Sequence, residues 1–473
     1  MIHIEKLDEV YIRVVCEDSI AYELSDRFTF EVPGAKFSPL YKKKIWDGKI
    51  RLFDLRKKKI YAGLRQHVKD FLDANSYEYE DNVQSDGQSV EHFDRFLEDL
   101  NLKIEPRDYQ KDAVKHAVTN ARALLLSPTA SGKSFIIYLT TRWYEQQTLV
   151  IVPTTSLVYQ MRDDFISYGM DPDQIHCILA GQPKESEKPI VISTWQSIYK
   201  ENRDYFERFD LVIGDEAHLY KAKSLTTLLE KTTSSPYKFG FTGSLDGSNT
   251  NKLVLEGLFG PVYKVTTTDQ LIKEKHLSSI NIKCLMLQYP KDVRRLIAKT
   301  NYQQELDYLT QNKKRNRFIR NLADSTQGNT LVLFQMVEKQ GKALFDIMKD
   351  SDKDVRYVDG SVNAKEREQI RKYAEENDNV VIIASYGTFS TGVNIKNLQH
   401  VVFASPSKSR VRNLQSIGRG LRKSADSTHV TIYDISDDMK HNNRENYTLK
   451  HFKERLKIYA EEKFKFKVYN YEL

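Results

Sequence analysis

The stretch RALLLSPTASGKSFIIYLTTRWYEQ (residues 122–146) reads as strand, loop and helix in succession. RALLLS is a short, near-continuous apolar run, the pattern of a strand buried on both faces. A helical pattern begins after Lys133. Between them, SPTASGKS (127–134) keeps the Gly-Lys-Ser end of a phosphate-gripping loop at Gly132, Lys133 and Ser134, with Ser127 standing where that pattern has its first Gly. A Gly-Lys-Ser tripeptide by itself is equally at home in an ordinary helix-start turn. The flanking strand and helix decide for the phosphate loop. There a helix N-terminus and successive backbone N–H groups converge on one spot, and Lys133 adds a point charge. Thr129, Ala130 and Ser131 complete the expected cradle. Ser127 and Ala130 are small enough to let the backbone wrap a phosphate chain, and Ser134 is placed to ligate Mg2+.

The same βα rhythm continues on the C-terminal side. TLVIVP, PIVIST, DLVIGDEA and KFGFTG extend the first set to about residue 243, and NTLVLF, DVRYVDG, VVIIASY, HVVFASP and HVTIYDI form a second set from about 329 to 435. Two such sets separated by a mixed segment predict an α/β chain with two parallel-sheet domains in tandem. The polar, acidic YEYEDNVQSDGQS (77–89) predicts a linker after a small N-terminal domain. The expected divisions are 1–90 for a small basic α+β N-terminal domain, 91–265 for the first sheet domain with the phosphate loop, 266–310 for a connecting segment, 311–440 for the second sheet domain and 441–473 for a basic C-terminal extension. In that extension KFKFKVYNYEL alternates Lys with apolar residues, as an edge strand does.

The chain has 473 residues, 40% of them hydrophobic, enough for several cores. Cys16, Cys177 and Cys284 lie far apart with no CxxC pair, which argues against a zinc site or disulfide framework and suits a reducing cytoplasm. No apolar run approaches the ~18 residues of a membrane span, and MIHIEKLDEV lacks the basic start and apolar core of a signal peptide. A soluble intracellular protein is expected.

Residues 36–65, KFSPLYKKKIWDGKIRLFDLRKKKIYAGLR, hold eleven Lys or Arg against two Asp, a local balance of +9; the chain's +7 leaves −2 for everything else. KIRLF and KIYAGL read as two strands joined by a Lys-rich turn. Lys42, Lys43 and Lys44 lie on one side of the first strand and Lys57, Lys58 and Lys59 on the other, interleaved with Tyr41, Trp46, Phe53 and Tyr61. Lysines neutralise phosphates without reading sequence, and an exposed aromatic stacks on a base. The excess is far more than solubility needs, so a nucleic-acid partner is expected here. Phe53 is assigned to the core; Trp46, beside Asp-Gly in a turn, is a candidate for stacking.

DLVIGDEAH (210–218) delivers Asp215 and Glu216 at the C-terminal end of an apolar strand, where ligands collect on open parallel sheets. An aspartate there holds a Mg2+ bridging the β- and γ-phosphates, and the neighbouring glutamate orients or deprotonates water. An Asp-Glu pair alone would be a solvated turn. One that follows a phosphate loop by about eighty residues is not.

Asp215-Glu216-Ala217-His218 resembles the DEAH motif of the superfamily 2 helicases, and the remaining motifs follow in order over about residues 105–435. Arg107-Asp-Tyr-Gln110 resembles the adenine-reading segment, with Gln110 facing the base. Val152-Pro-Thr-Thr-Ser156 and Ser193-Thr194-Trp195-Gln196 resemble the segments that hold a nucleic-acid backbone, which makes Thr154 and Thr194 contact residues. Phe241-Thr-Gly-Ser244 resembles the segment coupling hydrolysis to strand movement. Thr391-Gly392-Val-Asn394 and Gln415-Ser-Ile-Gly418-Arg419-Gly-Leu-Arg422 resemble the last two motifs, with Thr391 on nucleic acid and Gly392, Asn394 and Gln415 on nucleotide. The likeness continues into the N-terminal region, toward the branched-DNA helicases of T-even bacteriophages. It implies two RecA-like domains, ATP and Mg2+ as cofactors, and 3′→5′ unwinding. It also implies fork regression, Holliday-junction branch migration and R-loop unwinding in recombination-dependent replication and repair, in the host cytoplasm. The implied partners are branched, duplex and single-stranded DNA and RNA–DNA hybrids, engaged by a monomer or weak oligomer.

In QSIGRGLR, arginines at i and i+3 project from one side of a helical turn, so Arg419 and Arg422 are both expected to face a γ-phosphate held by the first domain. A planar guanidinium stabilises charge on the equatorial oxygens at the transition state. Two other classes remain as alternatives: an RNA helicase, and a nucleic-acid clamp or strand annealer using ATP as a switch. Glu216 together with Arg419 and Arg422 argues against the clamp, since binding alone needs neither an in-line water nor an arginine finger.

Overall fold

The computed structural model describes all residues except 33, 129–130, 180, 182, 222, 244, 246–248, 275–278, 391–394, 396, 406–428 and 462. The chain forms two compact units that divide near residue 265. Among the described residues no helix is long and apolar enough to cross a membrane.

The first unit begins with a four-stranded sheet of β1 (Ile2–Lys6), β2 (Tyr11–Val15), β5 (Lys59–Tyr61) and β6 (Tyr79–Asp81), in the order β5-β2-β1-β6. Alternation along β2 buries Ile12 and Val14 and turns Arg13 to solvent, as period-2 side-chain placement requires. Helices Asp18–Arg27 and Arg65–Ala74 cover its inner face with Ala21, Leu24, Val68 and Leu72. A separate two-stranded ribbon, β3 (Thr29–Glu31) with β4 (Lys49–Arg51), stands beside this sheet. KIRLF and KIYAGL therefore supply strands, but not to one sheet: β4 pairs with β3 and β5 with β2. The segment 77–89 is not wholly a linker either. Tyr79–Asp81 is β6, hydrogen-bonded parallel to β1, and Asp86 then takes the Lys6 ammonium at 2.9 Å.

The second sheet of this unit is all parallel: β7 (Arg122–Leu126), β8 (Thr148–Val152), β9 (Ile175–Ile178), β10 (Ile190–Thr194), β11 (Leu211–Gly214), β12 (Tyr237–Thr242) and β13 (Val262–Lys264), ordered β13-β7-β12-β11-β8-β10-β9. Every residue of β8 and β10 is buried, which is why these strands read as continuous apolar runs.

One hydrophobic cluster runs from Ile2 to Phe259, joining the N-terminal sheet to the parallel one. The seam is also polar and specific. Tyr11 and Tyr61 stack at 5.2 Å and both donate to Glu230 Oε1, at 3.1 and 2.6 Å. His67 meets Glu256 at 3.1 Å. Buried Lys238 donates to the carbonyls of Glu9 and Thr232 at 2.8 and 2.7 Å, and Arg122 reaches Glu9 Oε2 at 3.2 Å. Gly63 is where the backbones touch: a Cβ there would stand 2.0 Å from the Glu256 carbonyl oxygen.

The second unit is built on another seven-stranded parallel sheet: β14 (Ser279–Gln288), β15 (Thr330–Phe334), β16 (Asp354–Val358), β17 (Val380–Ser385), β18 (His400–Phe403), β19 (His429–Asp438) and β20 (Lys465–Glu472), in the order β16-β17-β15-β18-β19-β14-β20. The stretch 266–310 is thus more than a connection, since β14 lies inside this sheet between β19 and β20. The C-terminal stretch 441–473 belongs to the same unit, with β20 as its solvent-exposed edge. Buried charge fixes the arrangement. Arg315 forms a two-point ion pair with Asp437 at 2.8 and 3.0 Å, and Arg455 one with Asp434 at 2.8 Å on each arm. Glu305 accepts from the backbone of Tyr447 and Thr448 at the start of helix Tyr447–Glu461.

Gly63→Ala drives a methyl into the seam backbone and is expected to destabilise the chain by ~1–3 kcal/mol or more, as overpacking does. Thermal unfolding of the full chain measures it; an unchanged melting temperature would remove the close-contact account.

Candidate active site and nucleic-acid face

The phosphate loop leaves β7 at Ser127, whose N–H donates to Thr242 O at 2.8 Å and whose hydroxyl lies 2.5 Å from that of Ser131. Gly132 has φ +79°, a left-handed conformation that suits glycine, and caps helix Lys133–Tyr144. Gln110 lies directly over it: a Cβ on Gly132 would meet the Gln110 amide nitrogen at 2.3 Å. Gln110 is buried, accepts from Arg107 N–H at 2.9 Å and donates to Ser131 O at 2.8 Å. Tyr109 O–H donates to the same carbonyl at 3.1 Å and takes a hydrogen bond from Arg107 at 2.7 Å. The segment expected to read adenine therefore clamps the loop backbone. Thr129 and Ala130 lie outside the described residues.

Lys133 projects between the two acids at the end of β11, with Nζ 3.0 Å from Glu216 Oε1 and 3.5 Å from Asp215 Oδ1. Burial works against the ammonium, but the two carboxylates outweigh it and hold the Lys133 pKa above its ordinary value. Burial pushes the Asp215 carboxyl up, with the Lys133 charge opposing and the Glu216 charge adding to the rise. Glu216 sits at φ +49°, a strained setting for a residue with a Cβ and one that concentrates at functional sites. Its second oxygen lies 3.3 Å from His218 Nδ1, which is also 3.1 Å from Thr242 Oγ1 at the end of β12. His218 thus joins the acid pair to the FTGS segment.

The donor set suits Mg2+. Asp215 is a buried carboxylate whose Oδ1, among the described residues, has only the Lys133 ammonium near it, at 3.5 Å, and the Ser134 hydroxyl, 3.0 Å from Tyr168 O–H, is a second hard oxygen.

Farther along the same sheet edge, the two segments expected to hold nucleic acid come together. Thr154 caps helix Thr155–Ser167, accepting from Leu157 N–H at 3.4 Å, and Thr194 Oγ1 lies 2.9 Å from Ser197 Oγ. Gln196 donates to Pro153 O at 3.4 Å and ties the two loops. With Thr155 and Lys184 they line an open depression of about 580 Å³. The helix N-terminus and the hydroxyls around it offer donors suited to an anion, while the Lys184 ammonium is held by Glu201 at 2.5 Å.

In the N-terminal region the six lysines divide. Lys42, Lys43, Lys44 and Lys57 are exposed, with no ion pair among the described residues. Lys58 is held by Asp18 at 2.8 Å and by the Cys16 carbonyl at 2.7 Å, and Lys59 lies 3.5 Å over the Tyr11 ring. Trp46 is half-buried and donates its indole N–H to Lys49 O at 2.9 Å. Thr391, Gly392, Asn394, Gln415, Arg419 and Arg422 lie outside the described residues.

Residues 1–81 match the family described as DNA helicase UvsW, N-terminal; 103–246 match the type III restriction enzyme res subunit; 313–424 match the helicase conserved C-terminal domain. Over 489 aligned residues the chain is 36% identical to the ATP-dependent DNA helicase uvsW of Enterobacteria phage T4, with 97% of each covered. The chain belongs to the UvsW family of DNA helicases. The crystal structure of T4 UvsW agrees with it at a TM-score of 0.53 and 35% identity, covering 100% of this chain and 99% of that one. A more distant relative, the DNA 3′-5′ translocase XPB2 of Sulfurisphaera tokodaii, is 24% identical over 68% of this chain and 79% of its own.

Within this UvsW-family site, three side chains escaped the sequence reading as individual contributors: Tyr109, Tyr168 and His218. Tyr109 and His218 sit inside quoted motifs, so a position-by-position reading would have reached them. Tyr168 lies 34 residues from Ser134 with no motif around it.

Lys133→Ala is expected to abolish ATP hydrolysis and unwinding while leaving DNA binding nearly intact; normal turnover would remove Lys133 from the site. Glu216→Gln should retain nucleotide and lose turnover, and a stable ATP- and DNA-bound complex in filter binding is the expected result.

Proposed function

We propose that this ATP-dependent DNA helicase remodels branched DNA, regressing forks, migrating four-way junctions and unwinding R-loops with 3′→5′ polarity in the cytoplasm of a bacterial host. The observation that carries the reading is the combination on one unit of a water-activating acid pair and a basic ribbon rigidly joined to the same sheet. The family relationship supports the choice of DNA.

ATP enters with its phosphates on the Gly132 loop. Lys133 exchanges its carboxylate partners for phosphate oxygens, which releases Glu216 to orient water and take its proton for in-line attack on the γ-phosphorus. Asp215 and the Ser134 hydroxyl would hold Mg2+, which supplies charge neutralisation on the β- and γ-phosphates. His218 carries the state of Glu216 to Thr242 and so to the end of β12. Thr154 and Thr194 hold a backbone strand on the first unit, and by the motifs they occupy Thr391 is assigned to nucleic acid and Gly392, Asn394 and Gln415 to nucleotide. Arg419 and Arg422 stabilise the transition-state charge.

Arg419→Ala or Arg422→Ala should leave ATP affinity similar and cut turnover by ~10³-fold or more if that residue is the finger; a loss of affinity alone would reassign it to ground-state binding. Matched DNA and RNA forks test the substrate class, and unwinding of the RNA fork faster than the DNA fork would overturn the choice of DNA. Replacing Lys42, Lys43, Lys44 and Lys57 with Ala should flatten the slope of log affinity against log salt on duplex arms by ~0.9 for each phosphate no longer neutralised. The same change at Lys58 and Lys59 should leave the slope alone and lower stability instead.

A further inference from the structure

The loop carried by the β3–β4 ribbon has a composition that phosphate binding by itself does not explain. Its neck is closed by Val32 N–H donating to Gly48 O at 2.8 Å, and a 3-10 turn (Ala35–Phe37) and a short helix (Pro39–Lys42) shape its tip. Gly48, at φ +80°, lets the Tyr41 ring lie against the neck: a Cβ there would stand 3.0 Å from that ring. Trp46 is tied to the stem through Lys49. The ribbon is rooted by Phe28, Leu52 and Phe53, all in the core shared with the parallel sheet. The tip is therefore a held structure, yet it turns its apolar side chains outward. Phe37 is 72% exposed, Ile45 69% and Leu40 51%.

Among these side chains stand Lys36, Lys42, Lys43 and Lys44, and the one acid of the loop, Asp47, is taken by Arg51 at 2.5 Å. An apolar tip surrounded by unopposed cations fits a polyanion that also offers flat apolar faces. An intact duplex hides its base faces in the stack. A branch point exposes them beside phosphates.

We propose that residues 34–46 form a junction wedge, with Phe37 and Ile45 packing on the outermost base pair or an unpaired base at a branch while the lysines hold the flanking phosphates. This deepens and rests on the branched-DNA reading, and it assigns the contact to Phe37 and Ile45 rather than to Trp46.

The test uses the full chain with Phe37→Ala, Ile45→Ala and Phe37→Trp. These side chains are exposed, so melting temperatures should match the parent. A 2-aminopurine placed at the fork should change its fluorescence on binding of the parent, and much less with either Ala variant. The additional indole emission of the Phe37→Trp variant should be quenched by forked DNA and unaffected by blunt duplex. Fork regression by the Ala variants should fall by about tenfold or more, the size expected for removing one base-stacking side chain. ATPase stimulation by single-stranded DNA and the duplex salt slope should stay unchanged. Unaltered 2-aminopurine response in both Ala variants would overturn the wedge, as would equal quenching by duplex. Loss of self-association in sedimentation, with the fluorescence response intact, would make the tip a contact between copies and overturn it too. If the parent regresses no forks, the functional reading fails on its own, while the fluorescence still reports whether the tip meets a branch.

Discussion

Parallel pairing of β7, β8, β10, β11 and β12 brings the carboxyl ends of five strands to one edge, and the chemistry of the first unit depends on that constraint. Ser127 leaves β7 into the phosphate loop, Asp215 and Glu216 follow β11, and Thr242 closes β12. Pro153–Thr155 follow β8, and Thr194 ends β10. The segments assigned to nucleotide and to nucleic acid are therefore neighbours by topology. Within that edge His218 joins Glu216 after β11 to Thr242 at the end of β12.

Lys133 shows how such a site is kept stable before its substrate arrives. A buried ammonium and a buried carboxylate are each costly alone, and breaking a buried pair costs ~3–5 kcal/mol. Here the Lys133 ammonium is shared between the Asp215 and Glu216 carboxylates, which offsets part of the cost of burying all three. The arrangement also holds Glu216 in place through the Lys133 ammonium.

Much of this was legible in the sequence. The fully buried strands announced themselves as apolar runs, and Gly132-Lys133-Ser134 does follow a strand and open a helix. What was not legible depends on pairing between distant segments. β14 lies far from its neighbours β19 and β20 in sequence, and its SINIKCLMLQ gave no sign of belonging to the second sheet. KIRLF and KIYAGL looked like one hairpin because they are adjacent, yet their partners lie upstream in different sheets. The lysine run 57–59 is uniform in sequence and divided in space, since only the fold brings Asp18 to Lys58 and Tyr11 to Lys59. Gln110 illustrates the same limit: its motif marks it for the nucleotide, and only the fold shows that its amide also bonds the Arg107 N–H and the Ser131 carbonyl.

The seam at Gly63 and Glu230 has a mechanical meaning. A gripping element on a flexible tether would absorb part of each displacement as slack before passing any on. Here the ribbon is rooted by Phe28, Leu52 and Phe53 in the core it shares with the parallel sheet, and the four-stranded sheet beside it is joined there through stacked rings and backbones in contact. It is a pawl cut from the same metal as its wheel: the three side chains at its root share one hydrophobic cluster with Leu124, Leu149 and Val212 of the sheet.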